Sequence, residues 1–334
     1  MLSIVIVNFR TWDHIARNLN SLFASLPAEW GKEWQIEVIV VDNHSDDGRY
    51  DAFQRDWPQV RLLSSKGNYG YAHGCNFGAG TARGDWLLFM NPDVICDWQN
   101  LAAFWNAARE QSRYAILTAP QYDDNGRLQR SFAPFTTPWT YFPSLRALLR
   151  VLMPRRFPDP RTPPEQLSKI IDVDWVTGSL VLISRENFNR LGGWDEDFWL
   201  YCEDEDLCRR AHDAGMGVGY FPGAHFVHSH ASSTRSSQEV VVLTKSETLL
   251  SKYLYLAKHE KNFSGRLLQH WLKVSNAWKR PLWTLIDRLA RGKVRKVSIK
   301  RGIHDRLNEY FERADATGSL LSDRSIRYGQ GNEF

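Results

Sequence analysis

The chain has 334 residues, 43% hydrophobic and 13% aromatic, which supplies a full core for one large or two modest domains and excludes a disordered chain. Its formal charge of +4 conceals an asymmetry, because residues 245–301 carry a net +12 and the remainder −8. Cys75, Cys96, Cys202 and Cys208 lack CxxC spacing and read as buried, reduced thiols, which excludes a disulfide scaffold and fits a reducing compartment.

Ile4 to Val7 is a β-branched run of the kind buried on both faces of a parallel sheet, and Ile15 to Leu26 follows with helical spacing. This strand starts at Leu2 with no basic, small-residue leader ahead of it, so no secretory signal is expected. Further strands are predicted over Glu37 to Val41, Val60 to Leu63 and Trp86 to Met90, each ending in a polar loop. The alternation predicts an α/β, doubly wound sheet with ligands gathered at the carboxyl ends of its strands. Pro134 to Pro164 reads as an irregular excursion with a basic helix at Leu145 to Met153, suited to an acceptor loop. Strand pattern resumes from Trp175 to Ser184, and helices follow at Arg185 to Leu191 and Glu203 to Gly215. Beyond Val240 the pattern is helical to about Phe311, and Gly318 to Phe334 reads as a frayed end. The expected division is a catalytic domain over 1–239 and a basic helical region over 240–334.

Four loop groups could carry chemistry. Asn8, Phe9 and Arg10, beside Asp42 and Asn43, could stack on a nucleobase and bond its edge, although turn residues closing strands would look the same. Asn68, Gly70, Tyr71 and Asn76 open a predicted helix whose free N–H groups favour phosphate. A Gly78-x-Gly80-x-x-x-Gly84 pattern is misplaced for a dinucleotide fingerprint. Asn91-Pro-Asp93 puts an amide and a carboxylate where a divalent cation, Mg²⁺ or Mn²⁺, could bridge them to phosphates. Glu203-Asp-Glu-Asp206 begins a helix behind an aromatic run. Capping explains one or two acids there, and crowding beside rings would raise the pKa of one towards that of a general base. Of His225, His228 and His230, His228 is the candidate to join Asp93; a zinc cluster would need further ligands at spacing that is absent.

In order and spacing these pieces resemble the family 2 inverting glycosyltransferases of GT-A fold, in particular the bacterial rhamnosyltransferase branch. The resemblance runs from Leu2 to Ser233 and includes Thr177-Gly-Ser179 and Gly192-Gly-Trp-Asp-Glu196. It implies a Rossmann-like nucleotide-sugar sheet with Asp42 at the nucleobase, Asp93 at the metal, His228 at the metal and diphosphate, and Asp204 as the base, Glu203 being the competing acid. Asn91 replaces the first acid of the family's Asp-x-Asp. Gly178, Trp194 and Trp199 are the implied acceptor-side residues. Donor and acceptor are implied to be dTDP-rhamnose and a glycan or polyprenyl-linked hydroxyl in cell-surface polysaccharide assembly. The alternative is a noncatalytic nucleotide-sugar or glycan-binding protein on the same fold.

Leu267, Leu268, Trp271, Leu272, Trp278, Leu282, Trp283, Ile286 and Leu289 fall near helical spacing after Arg266, interleaved with Lys273, Lys279, Arg280, Arg288, Arg291, Arg295 and Lys296, with Pro281 expected to kink or restart the helix. Such a stripe either packs on the catalytic domain or lies on an anionic membrane surface. The expected location is therefore cytoplasmic and peripheral on the inner face of the cell membrane. A nucleic-acid partner is not expected, since it would leave the acidic and glycine motifs without purpose.

Overall fold

The computed structural model describes residues 1–27, 35–167, 169–229 and 237–328. The first elements are β1 (Leu2–Asn8), α1 (Trp12–Ser25), β2 (Ile36–Asp42), α2 (Tyr50–Asp56), β3 (Arg61–Ser64), α3 (Tyr71–Thr81), β4 (Trp86–Met90), β5 (Val94–Ile95), α4 (Trp98–Glu110), β6 (Tyr114–Thr118), β7 (Gln121–Tyr122) and β8 (Phe132–Ala133). Then come α5 (Pro143–Leu152), β9 (Ile171–Asp172), β10 (Trp175–Val176), β11 (Leu180–Ser184), α6 (Arg185–Arg190), α7 (Glu203–Asp213), β12 (Gly217–Tyr220), β13 (Phe226–His228), α8 (Gln238–His259), α9 (Phe263–Leu289) and α10 (Arg295–Thr317).

The chain forms two compact units, one of Met1–Phe135, Ala147–Asp195 and Glu203–Ala231, the other of Thr136–Arg146, Glu196–Cys202 and Ser232–Phe334. The helical unit therefore begins near the expected boundary but also draws in two segments from the first part of the chain.

The first unit holds an eight-stranded sheet in the order β3-β2-β1-β4-β11-β6-β12-β9. The first four strands run parallel, and β11 lies antiparallel between β4 and β6. Every residue of β1 is buried, which accounts for its unbroken apolar run. On one face Ile4, Ile6, Val38 and Leu88 pack with Trp12, Ile15, Leu101 and Phe104 of α1 and α4. On the other face α3 lies so close that a Cβ at Gly74 would stand 2.8 Å from Val7 and one at Gly78 2.5 Å from Val5. Gly78 thus serves helix–sheet packing, not a nucleotide fingerprint.

The predicted strand from Trp175 to Ser184 is interrupted. Its first part, β10, leaves to pair with β8, its second, β11, enters the main sheet, and Thr177-Gly178-Ser179 makes the break. A small sheet, β5-β13-β7, sets His228 opposite Val94, the residue after Asp93.

In the second unit Leu250 of α8 packs with Ile303, Leu307, Tyr310 and Phe311 of α10. Helix α9 runs through Pro281 as one element of 27 residues, so of the two expected outcomes a restart does not occur. The expectation of a frayed chain end fails. The described part of the chain end is tied down: the Leu320 carbonyl accepts from Tyr310 Oη at 2.7 Å, Arg327 pairs with Asp197 at 3.2 Å, and Leu321 is buried. All four cysteines are free and buried, as expected.

Candidate active site

The Thr177-Gly178-Ser179 turn is the point to which the site residues are fastened. The Gly178 N–H donates to Asp204 Oδ2 at 2.8 Å, and the Gly178 carbonyl accepts from Tyr71 Oη at 2.8 Å. The next carbonyl, of Ser179, accepts from the Asn91 N–H at 2.9 Å, and Ser179 Oγ donates to Gln121 Oε1. One short turn therefore registers the start of α7, the start of α3 and the loop after β4. A Cβ on Gly178 would sit 3.4 Å from Asp204 Cβ and 3.5 Å from the Tyr71 ring, so the turn lies in direct contact with both side chains.

The four acids of α7 divide by role. Asp206 pairs with Arg210 of the same helix at 2.7 Å, and Glu205 is buried. Asp204 is only partly buried, and its Oδ1 accepts the Glu205 N–H at 2.8 Å. Burial pushes its carboxyl up, while the N–H groups of Gly178 and Glu205 and the Arg130 guanidinium pull the other way. Glu203 is buried, with no hydrogen-bond partner for Oε2. Burial, and after it the charge of Asp204, hold it well above the usual carboxylate range. Burial thus raises both carboxyls, Glu203 the further because few hydrogen bonds oppose it. Just ahead of them Tyr201 and Cys202 both have φ near 70°, with values of 70° and 67°, an unusual pair for residues with side chains.

Asp93 and His228 come together as expected, with Oδ1 and Nε2 3.2 Å apart and both side chains largely covered. The Asp93 carbonyl accepts the Ser229 N–H at 3.0 Å, and the His228 carbonyl accepts from Gln129 Nε2 at 2.8 Å, which fixes the β13 register. His225 instead packs edge-on against Tyr122, and His230 lies outside the described residues. Among the described residues no group of three or more His, Cys, Asp or Glu converges on a metal position. A carboxylate oxygen with an imidazole nitrogen nevertheless fits a cation that takes its remaining ligands from phosphates and water.

The nucleoside loops need correction. Asn8 is fully buried, its amide donating to Asp42 Oδ1 at 2.8 Å and accepting from the Thr11 N–H and hydroxyl, so it ties loops together and cannot touch a base. Asn43 is equally consumed, donating to Asn68 Oδ1 at 3.1 Å and the Gly70 carbonyl at 3.0 Å. Asp42, 5% exposed, accepts from Asn8 and from Ser45. The faces these loops leave open are Phe9 and Arg10, the guanidinium lying 5.4 Å from the ring centroid. Gly70, at φ 94°, is the N-cap of α3, and no side chain caps the first N–H groups of that helix. Asn76 is withdrawn from the donor by a two-bond clamp on the Trp194 backbone, at 2.8 and 2.9 Å.

Neither tryptophan offers a face to a sugar. Trp194 is 1% exposed and wedged edge-to-face on Tyr71 and Phe89, while Trp199 is 6% exposed beneath Arg324. Of the acceptor-side residues Gly178 is the one that contacts Asp204. The residue that sequence reading missed is Arg130. It is exposed, its charge reaches Asp204, and it stands before Ser131, whose carbonyl accepts the Thr177 N–H at 2.9 Å. That cross-chain bond, invisible in a linear reading, brings it to the site.

An acid–histidine pair and two adjacent carboxylates, one buried and one partly exposed, lie on the α/β unit that carries the sheet. Comparison with known proteins identifies the class: the model of "Glycosyl transferase family 2" matches residues 3–190, and the chain belongs to that family. A second model, "N-terminal domain of galactosyltransferase", matches residues 166–232. The N-acetylglucosaminyl-diphospho-decaprenol L-rhamnosyltransferase of Mycobacterium tuberculosis is 28% identical over 320 residues, 91% of this chain and 99% of the relative. Rhamnosyltransferase WbbL of Escherichia coli is 28% identical over 225 residues, 62% of this chain and 83% of WbbL. The solved structure of GalNAc-T7 with UDP, GalNAc and Mn²⁺ superposes with a TM-score of 0.53 at 16% identity, covering 75% of this chain and 47% of that one. The fold is GT-A, and the chain is a glycosyltransferase with rhamnosyltransferases among its relatives.

Proposed function

We propose that this is an inverting glycosyltransferase moving L-rhamnose from dTDP-rhamnose to a hydroxyl of a glycan or polyprenyl-linked acceptor, in bacterial cell-surface polysaccharide assembly at the cytoplasmic face of the membrane. The observation that carries it is Asp204, a partly exposed carboxylate raised by burial yet steered by two backbone N–H groups at the Gly178 turn. The names of the two relatives support the sugar, and that of the mycobacterial one supports a diphospholipid acceptor.

In this reading Asp204 takes the proton of the acceptor hydroxyl. The hydroxyl oxygen bonds to the anomeric carbon from the side opposite the nucleotide, and the bond to the diphosphate oxygen breaks with its electron pair leaving on the diphosphate. The centre inverts, and no covalent enzyme intermediate forms. Phe9 stacks on the base and Asp42 lies at its floor. The α3 N-terminus and Arg130 bind phosphate oxygens as charge builds on them. Asp93 and His228, with Asn91 alongside, would hold a Mg²⁺ or Mn²⁺ ion whose charge offsets that of the departing diphosphate.

Thermal denaturation with dTDP, UDP, GDP and their sugars, each with Mn²⁺ and with chelator, tests this. Selective stabilisation by the dTDP ligands in Mn²⁺, lost with chelator and in Asp93→Ala, is the expected result. Preference for another base, or equal stabilisation with chelator, would overturn the assigned donor or the metal.

A further inference from the structure

Helix α9 is amphipathic the wrong way round for a helix that only packs on its own protein. Its inner face is mostly small and polar, with Leu268 its buried apolar member. Gly265, Ser275, Asn276 and Asp287 are buried, Asp287 accepting from Ser298 and Arg301 of α10 at 2.7 and 2.6 Å, and Asn276 bonding His304 at 2.6 Å. Most of its apolar residues look outward instead. Phe263, Leu267, Trp271, Val274, Trp278, Leu282, Leu285 and Leu289 recur every three or four positions, and each residue of this outer row is between 42% and 83% exposed. At 1.5 Å per residue the row extends for about 40 Å. An exposed apolar strip of that length, left to water, works against the hydrophobic effect along its whole length.

Charge selects what covers it. Lys261 and Arg266 are exposed at the start of the helix, and Arg288, Arg291 and Lys293 at its end. Other cations of this unit have acids, as Lys273 has Asp315 and Arg280 has Asp305, but none of these five has a carboxylate partner among the described residues. A second copy laid on the stripe would bring like charges together at its rim. An anionic bilayer supplies the opposite charge there, and tryptophan suits its interfacial depth. No helix among the described residues is long and apolar enough to cross a membrane, so the fitting geometry is a helix lying in the surface plane.

We infer that α9 docks the protein on anionic lipid, its outer row in the acyl boundary and its terminal cations among the headgroups. The inference stands apart from the donor assignment, and the substitutions below leave the sugar-nucleotide site intact. Full-length protein is floated with vesicles of phosphatidylcholine and of an equimolar phosphatidylcholine–phosphatidylglycerol mixture. It is expected to rise with the anionic vesicles only, and Trp278→Glu with Leu285→Glu should lower the bound fraction about tenfold or more while the melting temperature and nucleotide binding hold. Arg288→Glu with Arg291→Glu should weaken binding in the same direction. Failure of the wild type to float, or flotation unaltered in the apolar double variant, overturns the inference. So does a dimer in sedimentation velocity that the apolar double variant dissolves while no vesicle binding is seen, which would assign the row to a second copy.

Discussion

Asp204 and Glu203 are neighbours in the chain with opposite surroundings, one partly exposed and steered by two N–H groups, the other buried with an oxygen unpartnered. Crowded acids beside aromatic rings were legible in the sequence; which of them stays partly exposed was not, because it depends on the turn at Gly178, 26 residues away in the chain. The same limit explains the asparagines. Asn8, Asn43 and Asn76 look like ligand groups in a linear reading, and the structure spends all three on backbone and side-chain partners within the fold. We expect Asp204→Asn to fold and to lose transfer about a hundredfold or more, the ordinary worth of a positioned base. Glu203→Gln, isosteric with a protonated glutamate, should retain most of the activity. The reverse ranking would make Glu203 the base. Glu203 also has a signature in stability. Its raised folded value means that the native state holds an extra proton above the ordinary carboxylate pKa, so stability falls as pH rises across that window. Glu203→Gln should flatten this slope in urea titrations run at several pH values.

At the scale of elements, most strands and helices of the first unit fall where apolar periodicity puts them, since β1, β2 and β4 are buried on both faces and α1 on one. The break between β10 and β11 was not visible, because Trp175 to Ser184 is continuous in strand pattern and only pairing with β8 pulls its first part away. Helix α3 carries glycines that a propensity reading would count against it, and two of them are there for closeness to β1. Gly78→Ala should therefore cost about 1–3 kcal/mol, the usual penalty of overpacking, since the added carbon meets Val5. Gly80, on the same helix, has nothing within 4 Å of such a carbon, and Gly80→Ala should gain about 0.5–1 kcal/mol from helix propensity. Chemical denaturation of both variants checks the pair, and loss of stability in both would mean that α3 does not lie against β1 as described. The basic stripe of the tail was legible as a pattern. Its outward aim was not, because apolar periodicity gives a helix a face without saying whether protein or lipid will cover it.

The acid-rich helix α7, the Asp93–His228 pair and the loops after β1 and β2 belong to one unit whose sheet is closed in the middle by a late strand. Strand β11 is the partner of β4 on one side and of β6 on the other, and β6 has β12, later still, on its far edge. Residues 1–135 alone would leave both edges of that gap unpaired. This fragment is expected to be insoluble or to melt without cooperativity, and a soluble fragment with a sharp thermal transition would show the assumption to be wrong. The same late strand sets a schedule for synthesis. At about 5–20 residues per second the ribosome needs on the order of 5 to 20 seconds to go from the end of β4 to the end of β11. For that interval an apolar strand edge stands open on a chain still being made. Slowing elongation downstream of β4 should thus lower the soluble yield, whereas an early supply of chaperone should restore it.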